Sequence, residues 1–198
     1  MHLSIILPCL NEADSLKTLI PTLKQLYPEA EIIIVNDGST DDSANVAEQA
    51  GTRVINHPYR MGNGAAIKNG ARAAKGDTLV FMDADGQHDP KDIDKLLAAL
   101  VQGHEMVVGA RQAHSQASIA RWFANSFYNQ LSSWMVGHAV ADLTSGFRAV
   151  KADKFREFLS LLPNSFSYPT TITMAFFRAG YSVGYIPIVA HKRLGQSH

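Results

Sequence analysis

Short apolar runs alternate with longer amphipathic stretches through the first 110 residues of the chain. The runs Leu3–Leu7, Glu31–Val35, Thr52–Asn56, Thr78–Met82 and Met106–Gly109 read as strands. Between them, apolar positions recur with helical spacing and predict helices over Ser15–Leu26, Asp41–Ala50, Gly64–Lys75 and Pro90–Leu100. The last is the best marked, with Asp89 as N-cap, Pro90 at the first helical position and Asp92 in the first turn. Strand–helix alternation of this kind predicts an α/β fold, a mostly parallel central sheet flanked by helices.

After Arg111 the rhythm changes. A long helical stretch is expected over Ile119–Val136, then a short strand over Phe147–Val150, further helix, and a final strand over Ser182–Ile186. No repeat and no linker rich in Gly, Pro or Ser interrupts the chain, so residues 1–198 are expected to form a single domain.

Composition narrows the class. With 198 residues, 46% of them hydrophobic, the chain is long enough to bury a sizeable core and is not disordered or collagen-like. A lone cysteine, Cys9, has no intrachain disulfide partner, and a reducing compartment is the expectation. Basic and acidic residues balance at 18 each, which gives no overall signature of nucleic-acid binding. Their distribution is uneven: residues 1–99 hold 9 Lys/Arg and 14 Asp/Glu, and residues 100–198 hold 9 and 4. A cation-binding half beside a phosphate- or membrane-facing half has this asymmetry, as does chance segregation on a solvated surface. The opening residues lack the basic leader of a secretory signal. Trp122–Ala141 and Phe158–Phe177 carry no Asp, Glu, Lys or Arg, yet the first holds Asn125, Asn129, Gln130 and His138 and the second Pro163 and Pro169. Neither is expected to span a membrane.

In open α/β sheets ligands bind beyond the carboxyl ends of the strands, and here those ends are polar. The first strand runs into Pro8-Cys9-Leu10-Asn11-Glu12, the second into Asn36-Asp37-Gly38-Ser39, the fourth into Asp83-Ala84-Asp85-Gly86-Gln87-His88 and the fifth into Gly109-Ala110-Arg111. Spacing alone decides little, since Asp92 and Asp94 form a second DxD on a helix surface. Asp83 and Asp85 differ in emerging directly from the apolar run Val80-Phe81-Met82, and paired carboxylates there suit Mg²⁺ or Mn²⁺ bridging substrate phosphates. Asp37 has two readings: turn chemistry in which Ser39 or Thr40 caps the next helix, or a carboxylate accepting from a nucleobase or ribose. Gly62-Asn63-Gly64 leads into a helix, but Ile67 occupies the place of the third glycine of a dinucleotide fingerprint, and no GxxxxGK[ST] exists. These glycines are expected to let loop and sheet approach closely, leaving Arg60 and Lys68 for phosphate. Asp142-Leu143-Thr144-Ser145-Gly146-Phe147-Arg148 and Lys192-Arg193-Leu194-Gly195-Gln196-Ser197-His198 each combine cations with hydroxyls and glycine, fitting either phosphate binding or a capped turn. Histidines show no metal-binding spacing, and neither GxSxG nor HExxH occurs.

Taken together, PCLNE, NDGSTDDS, GNGAAIKNG, DADGQHDP, GAR, DLTSGFR and KRLGQSH resemble the motifs of family 2 glycosyltransferases. Their order and spacing are most similar to the dolichol-phosphate mannose synthase group, which includes bacterial polyprenyl-phosphate glycosyltransferases. The resemblance runs from Leu3 to His198 and implies the GT-A (nucleotide-diphospho-sugar transferase) fold, a nucleotide-sugar donor of GDP-mannose or UDP-hexose type, a divalent cation and inversion at the anomeric carbon. It further implies that Pro8, Glu12, Val35 and Asp37 line the nucleoside pocket, that Asp83 and Ala84 touch the donor, and that Asp85 and Gln87, with Asp83, hold the metal. Arg111, Arg121, Lys192 and Arg193 match the family's phosphate-handling cations, and His198 stands at a place commonly held by Lys. On this basis residues 1–111 would bind the nucleotide sugar and residues 112–198 the acceptor.

Departures from the family pattern are specific. Leu10 replaces a common Tyr, Asn63 replaces a common Lys, and Thr170-Thr171-Ile172-Thr173 stands where many relatives carry an acid. Gln116 lies five residues before Arg121-Trp122, so the QxxRW motif of processive synthases is missing and a single transfer is favoured. A lipid phosphate acceptor, already ionised near neutral pH, requires no general base, which agrees with the threonines. Trp122, Phe123, Phe127, Tyr128, Trp134 and Met135 fit an interfacial helix as well as a core helix. The expected setting is cytoplasmic and peripheral at the cytoplasmic face of a membrane, and whether a longer chain continues past His198 toward an anchor stays open. Rival readings are a polysaccharide or other non-lipid acceptor, a phosphatase using its first Asp as nucleophile, and a degenerate binding domain. Gln87 after DADG and the motif's place on the fourth strand oppose the phosphatase.

Overall fold

The structure is a computed structural model that describes residues 2–111, 130 and 140–190. The strands are β1 (Leu3–Cys9), β2 (Glu31–Asn36), β3 (Arg53–Asn56), β4 (Thr78–Phe81), β5 (Met106–Arg111), β6 (Arg148–Lys151) and β7 (Val183–Ile188). The helices among these residues are α1 (Ala13–Leu26), α2 (Ser43–Gln49), α3 (Asn63–Ala73), α4 (Asp92–Val101), α5 (Ala152–Arg156) and α6 (Tyr168–Arg178). Each strand and helix expected in the described residues is present, with ends displaced by a few positions. The long helix expected over 119–136 lies outside the described residues.

All seven strands join one sheet in the order β3-β2-β1-β4-β6-β5-β7. Pairing is parallel except around β6, which runs antiparallel to both β4 and β5. All seven residues of the inner strand β1 are buried. Its side chains alternate between layers: Leu3, Ile5 and Leu7 meet α1 and α4 on one face, while Ile6 meets α3 on the other. The second layer continues into α5 and α6 through Phe155, Ile172 and Phe176. Because β1, β2, β3 and β4 run in parallel, their carboxyl ends open on one edge, where the polar motifs collect.

Two expected caps take other forms. Asp89 accepts a hydrogen bond from Lys91 N–H at 3.0 Å in the turn ahead of α4, which begins only at Asp92. The Ser39 hydroxyl accepts from Asn11 N–H at 3.0 Å, and Thr40 N–H donates to Asn11 Oδ1 at 2.8 Å, so both fasten the β1–α1 turn rather than α2. Asn11 itself is left-handed, with φ of 56°, a conformation asparagine tolerates better than most residues.

The glycines of the 62–70 region separate by role. A Cβ on Gly70 would lie 2.4 Å from Ile6 Cγ2 and 3.2 Å from Val35 Cγ2, so this glycine brings α3 onto the sheet. Gly62 and Gly64 do something unexpected, because Cβ atoms there would meet Asn164 O at 2.3 Å and Pro163 O at 2.1 Å. They admit the segment between α5 and α6, not the sheet. Gly70→Ala is expected to overpack a core site and cost about 1–3 kcal/mol. At roughly 2–4 °C per kcal/mol this lowers Tm by several degrees, and an unchanged melting curve would refute the close α3–sheet contact.

Candidate active site

The carboxyl ends of β1, β2 and β4 and the loop before α3 enclose a cavity of about 150 Å³. Pro8, Cys9, Leu10 and Glu12 come from the end of β1, and Asp37 from the end of β2. Arg60, Gly62 and Asn63 come from the β3–α3 loop, Asp83, Ala84 and Asp85 from the end of β4, and Phe166 from the segment between α5 and α6. Cys9 is a buried wall, since burial pushes its thiol up to about 11 and leaves it un-ionised at neutral pH.

Asp37 is 4% exposed and heavily committed. Its Oδ1 accepts from His57 Nδ1 and from Met61 N–H, both at 2.7 Å, and its Oδ2 accepts from Gly62 N–H at 2.8 Å. The far side of the His57 ring meets the Asn69 amide at 2.8 Å. Gly38, at φ of 76°, lets the 59–60 backbone pass, because a Cβ there would sit 2.8 Å from Arg60 N. Asp37 therefore shapes the loop that forms the cavity wall, while remaining part of the lining.

Asp83 and Asp85, both half-buried, share the cavity. The turn after β4 closes with Gln87 N–H donating to Asp85 Oδ1 at 3.1 Å, and Gly86 takes a φ of 73°. Across the cavity the Asn63 Oδ1 is buried without a hydrogen-bond partner. Two carboxylates and amide oxygens are hard donors suited to Mg²⁺ or Mn²⁺. Among the described residues no three His, Cys, Asp or Glu come together as a ready-made metal cage. The donor set fits an ion that keeps positions for phosphate oxygens and water.

The remaining residues singled out in the sequence are distributed as follows. Pro8, Glu12, Asp37, Asp83, Ala84 and Asp85 line the cavity together. Val35 does not: it pairs with Pro8 across β1 and β2 but points into the core with Ile6 and Ile33. Lys68 is turned from the cavity, its ammonium donating to Leu162 O at 2.8 Å and Asn164 Oδ1 at 2.6 Å. Gln87 and Arg111 also lie outside the lining. Arg111 grips Asp142, Nε to Oδ2 at 2.9 Å and Nη2 to Oδ1 at 3.2 Å, and reaches Thr144 Oγ1 at 2.7 Å. Arg121, Lys192, Arg193 and His198 lie outside the described residues. Phe166, on the lining, carries no motif that would have marked it.

Two buried groups sit behind the carboxylates. His88 stacks on Phe147, ring centroids 4.8 Å apart, and burial pulls its pKa down to about 4, so it is neutral near pH 7. Arg148 is fully buried, and it donates to Ser145 O, Pro169 O and Thr173 Oγ1 and lies 5.8 Å from the centre of the Tyr168 ring.

Residues 4–159 match the family model described as Glycosyl transferase family 2. The chain belongs to this family. An undecaprenyl-phosphate mannosyltransferase of Micrococcus luteus is 29% identical, over 100% of this chain and 87% of that protein. An undecaprenyl-phosphate 4-deoxy-4-formamido-L-arabinose transferase of Pseudomonas savastanoi pv. phaseolicola is 34% identical over 85% of this chain and 55% of that protein. Its counterpart in Photorhabdus laumondii is 31% identical over 84% and 57%. The chain thus spans little more than half the length of these two arabinose transferases. Among solved structures, glucosyl-3-phosphoglycerate synthase of Mycobacterium tuberculosis, crystallised with Mn²⁺, UDP and glucosyl-3-phosphoglycerate, superposes with a TM-score of 0.77 at 22% identity. The match covers 99% of this chain and 73% of that one, and establishes the GT-A-like architecture of the family 2 chain.

The Arg111–Asp142 pair yields a pH-dependent prediction. Burial raises the Asp142 pKa, but hydrogen bonds and charge from Arg111 outweigh it and hold the carboxyl below its usual range. A depressed carboxyl contributes stability that is complete above the unfolded value of about 3.9 and is lost as pH falls through the folded value. Asp142→Asn is expected to cost about 2 kcal/mol at pH 7 and to flatten the acid limb of the stability profile. Urea unfolding at pH 7 and pH 3 checks both, and equal midpoints for the two proteins at pH 7 would refute it.

Proposed function

We propose that this family 2 chain transfers a sugar from a nucleotide-diphospho-sugar to a polyprenyl phosphate, with inversion at the anomeric carbon. The observation that carries the reading is the convergence of Asp83, Asp85, Asn63 and Arg60 on one cavity at the carboxyl edge of the sheet. Support for the acceptor comes from the relatives named for undecaprenyl phosphate. In this reading residues 1–111 supply most of the donor site and residues 112–198 most of the acceptor site, at a membrane surface. Among the described residues no helix is long and apolar enough to cross a membrane.

The chemistry follows from the groups present. An acceptor phosphate oxygen attacks the anomeric carbon from the side opposite the diphosphate, a carbon–oxygen bond forms, and the bond to the leaving nucleoside diphosphate breaks. The attacking oxygen is already ionised near neutral pH, so no side chain need remove a proton. Asp83 and Asp85 would hold a divalent cation, joined by Gln87 if its side chain turns in from just outside the lining, and the bound ion would supply charge neutralisation for the departing diphosphate. Pro8, Leu10 and Glu12 wall the nucleoside side, while Asp37 fixes the loop carrying Arg60 and Asn63 against it.

The test is transfer of labelled sugar from GDP-mannose, UDP-glucose and related donors into solvent-extractable polyprenyl phosphate, with Mg²⁺ or Mn²⁺. Label is expected in the lipid phase, lost with chelator and reduced at least about 100-fold by Asp85→Ala. Label confined to a water-soluble product would replace the lipid with a polysaccharide or other non-lipid acceptor.

A further inference from the structure

We infer that Phe166 is a specificity-determining residue that receives the apolar face of the donor's sugar ring, and that Lys68 positions it. The inference rests on the donor reading above. Phe166 is 72% exposed yet lines the cavity, an apolar ring offered to solvent beside the carboxylates of Asp83 and Asp85. Hexoses present hydroxyls at the ring edge and C–H groups on its faces. An aromatic face set among polar lining groups therefore complements both kinds of surface.

The segment that carries the ring is fixed on both sides. Upstream, the Lys68 ammonium holds Leu162 O and Asn164 Oδ1, and Ala65 N–H donates to Asn164 O at 3.3 Å. Gly62 and Gly64 allow this backbone-to-backbone contact, since any Cβ would collide with Asn164 O or Pro163 O. Downstream, Tyr168 is 2% exposed, and its hydroxyl approaches Gly146 O at 3.5 Å. A Cβ on Gly146 would lie 3.3 Å from Asp83 Oδ2, so the segment leaves the cavity on the Asp83 side. In the donor reading Asp83 stands by the leaving diphosphate, so a ring on this side lies where the transferred sugar belongs. An aromatic ring held in place before the ligand arrives binds at low entropic cost.

Calorimetry on the whole chain with Mn²⁺ separates the two ends of the donor. GDP and UDP probe the nucleoside diphosphate end, and GDP-mannose and UDP-glucose add the sugar. Phe166→Ala is expected to weaken the preferred nucleotide sugar about 5- to 10-fold while leaving the matching nucleoside diphosphate within twofold, and Phe166→Tyr to retain both. Lys68→Met is expected to reproduce the Phe166→Ala pattern and Lys68→Arg to restore it, which a general loss of stability would not do. Equal weakening of both ligands would assign the ring to the nucleoside and overturn the inference, as would no change in either. If the unsubstituted chain binds neither nucleoside diphosphate, the donor reading falls and the inference with it.

Discussion

A single buried carboxylate organises the site. Asp37 accepts the His57 ring and two backbone N–H groups, and so dictates the course of residues 57–62. That course presents Arg60 and Asn63 to the cavity and turns Gly62 toward the segment between α5 and α6. Removing the carboxylate would leave the half-buried N–H groups of Met61 and Gly62 without their acceptor, at a cost of up to roughly 1–3 kcal/mol each. It would also loosen the turn at Gly62 against which the α5–α6 segment packs. Asp37 thus shapes the cavity through the backbone it anchors.

Cations near the cavity follow the same logic. Arg111 is engaged by Asp142 and Thr144, and Lys68 by Leu162 and Asn164, so both hold loops in register. Among the described residues Arg60 is the cation on the cavity lining, and it is exposed. An acidic cavity with one exposed guanidinium would bind a diphosphate poorly without a second positive charge. The hard-oxygen donors on the lining, Asp83, Asp85 and the Asn63 amide oxygen, suit a divalent ion in that role.

Inner strands were legible because the middle of the sheet is buried on both faces, which turns a strand such as β2 into an unbroken apolar run, Ile32-Ile33-Ile34-Val35. Polar residues at the strand ends were legible too, since parallel topology gathers carboxyl ends on one edge. The antiparallel insertion of β6 between β4 and β5 was not, because its four residues carry no mark of direction. Lys68 and Arg111 looked like phosphate ligands because a basic residue beside glycine or threonine is the same pattern whether its partner is a ligand or a carbonyl 94 residues away. Phe166 escaped notice for a related reason. A lone aromatic in Ser-Phe-Ser has no period and no motif, and only the fold of Gly62 and Gly64 against Asn164 and Pro163 gives it an address.

Arg148 is a buried charge that the fold must compensate close to the end of β4. A fully buried guanidinium is costly to desolvate, and burial pulls its pKa down, while the charges of Asp142 and Asp83 act in the opposite direction. Carbonyls of Ser145 and Pro169 take its N–H groups in place of water, and the Tyr168 ring covers it. The result is a fixed positive charge beneath an acidic edge, held by the same residues that begin α6 and follow Phe166. Attraction between opposite charges in a poorly solvated interior is far stronger than at the surface. Asp142 and, more weakly, Asp83 are the carboxylates whose charge acts on this guanidinium, so the buried cation favours their ionised forms at the carboxyl edge of the sheet.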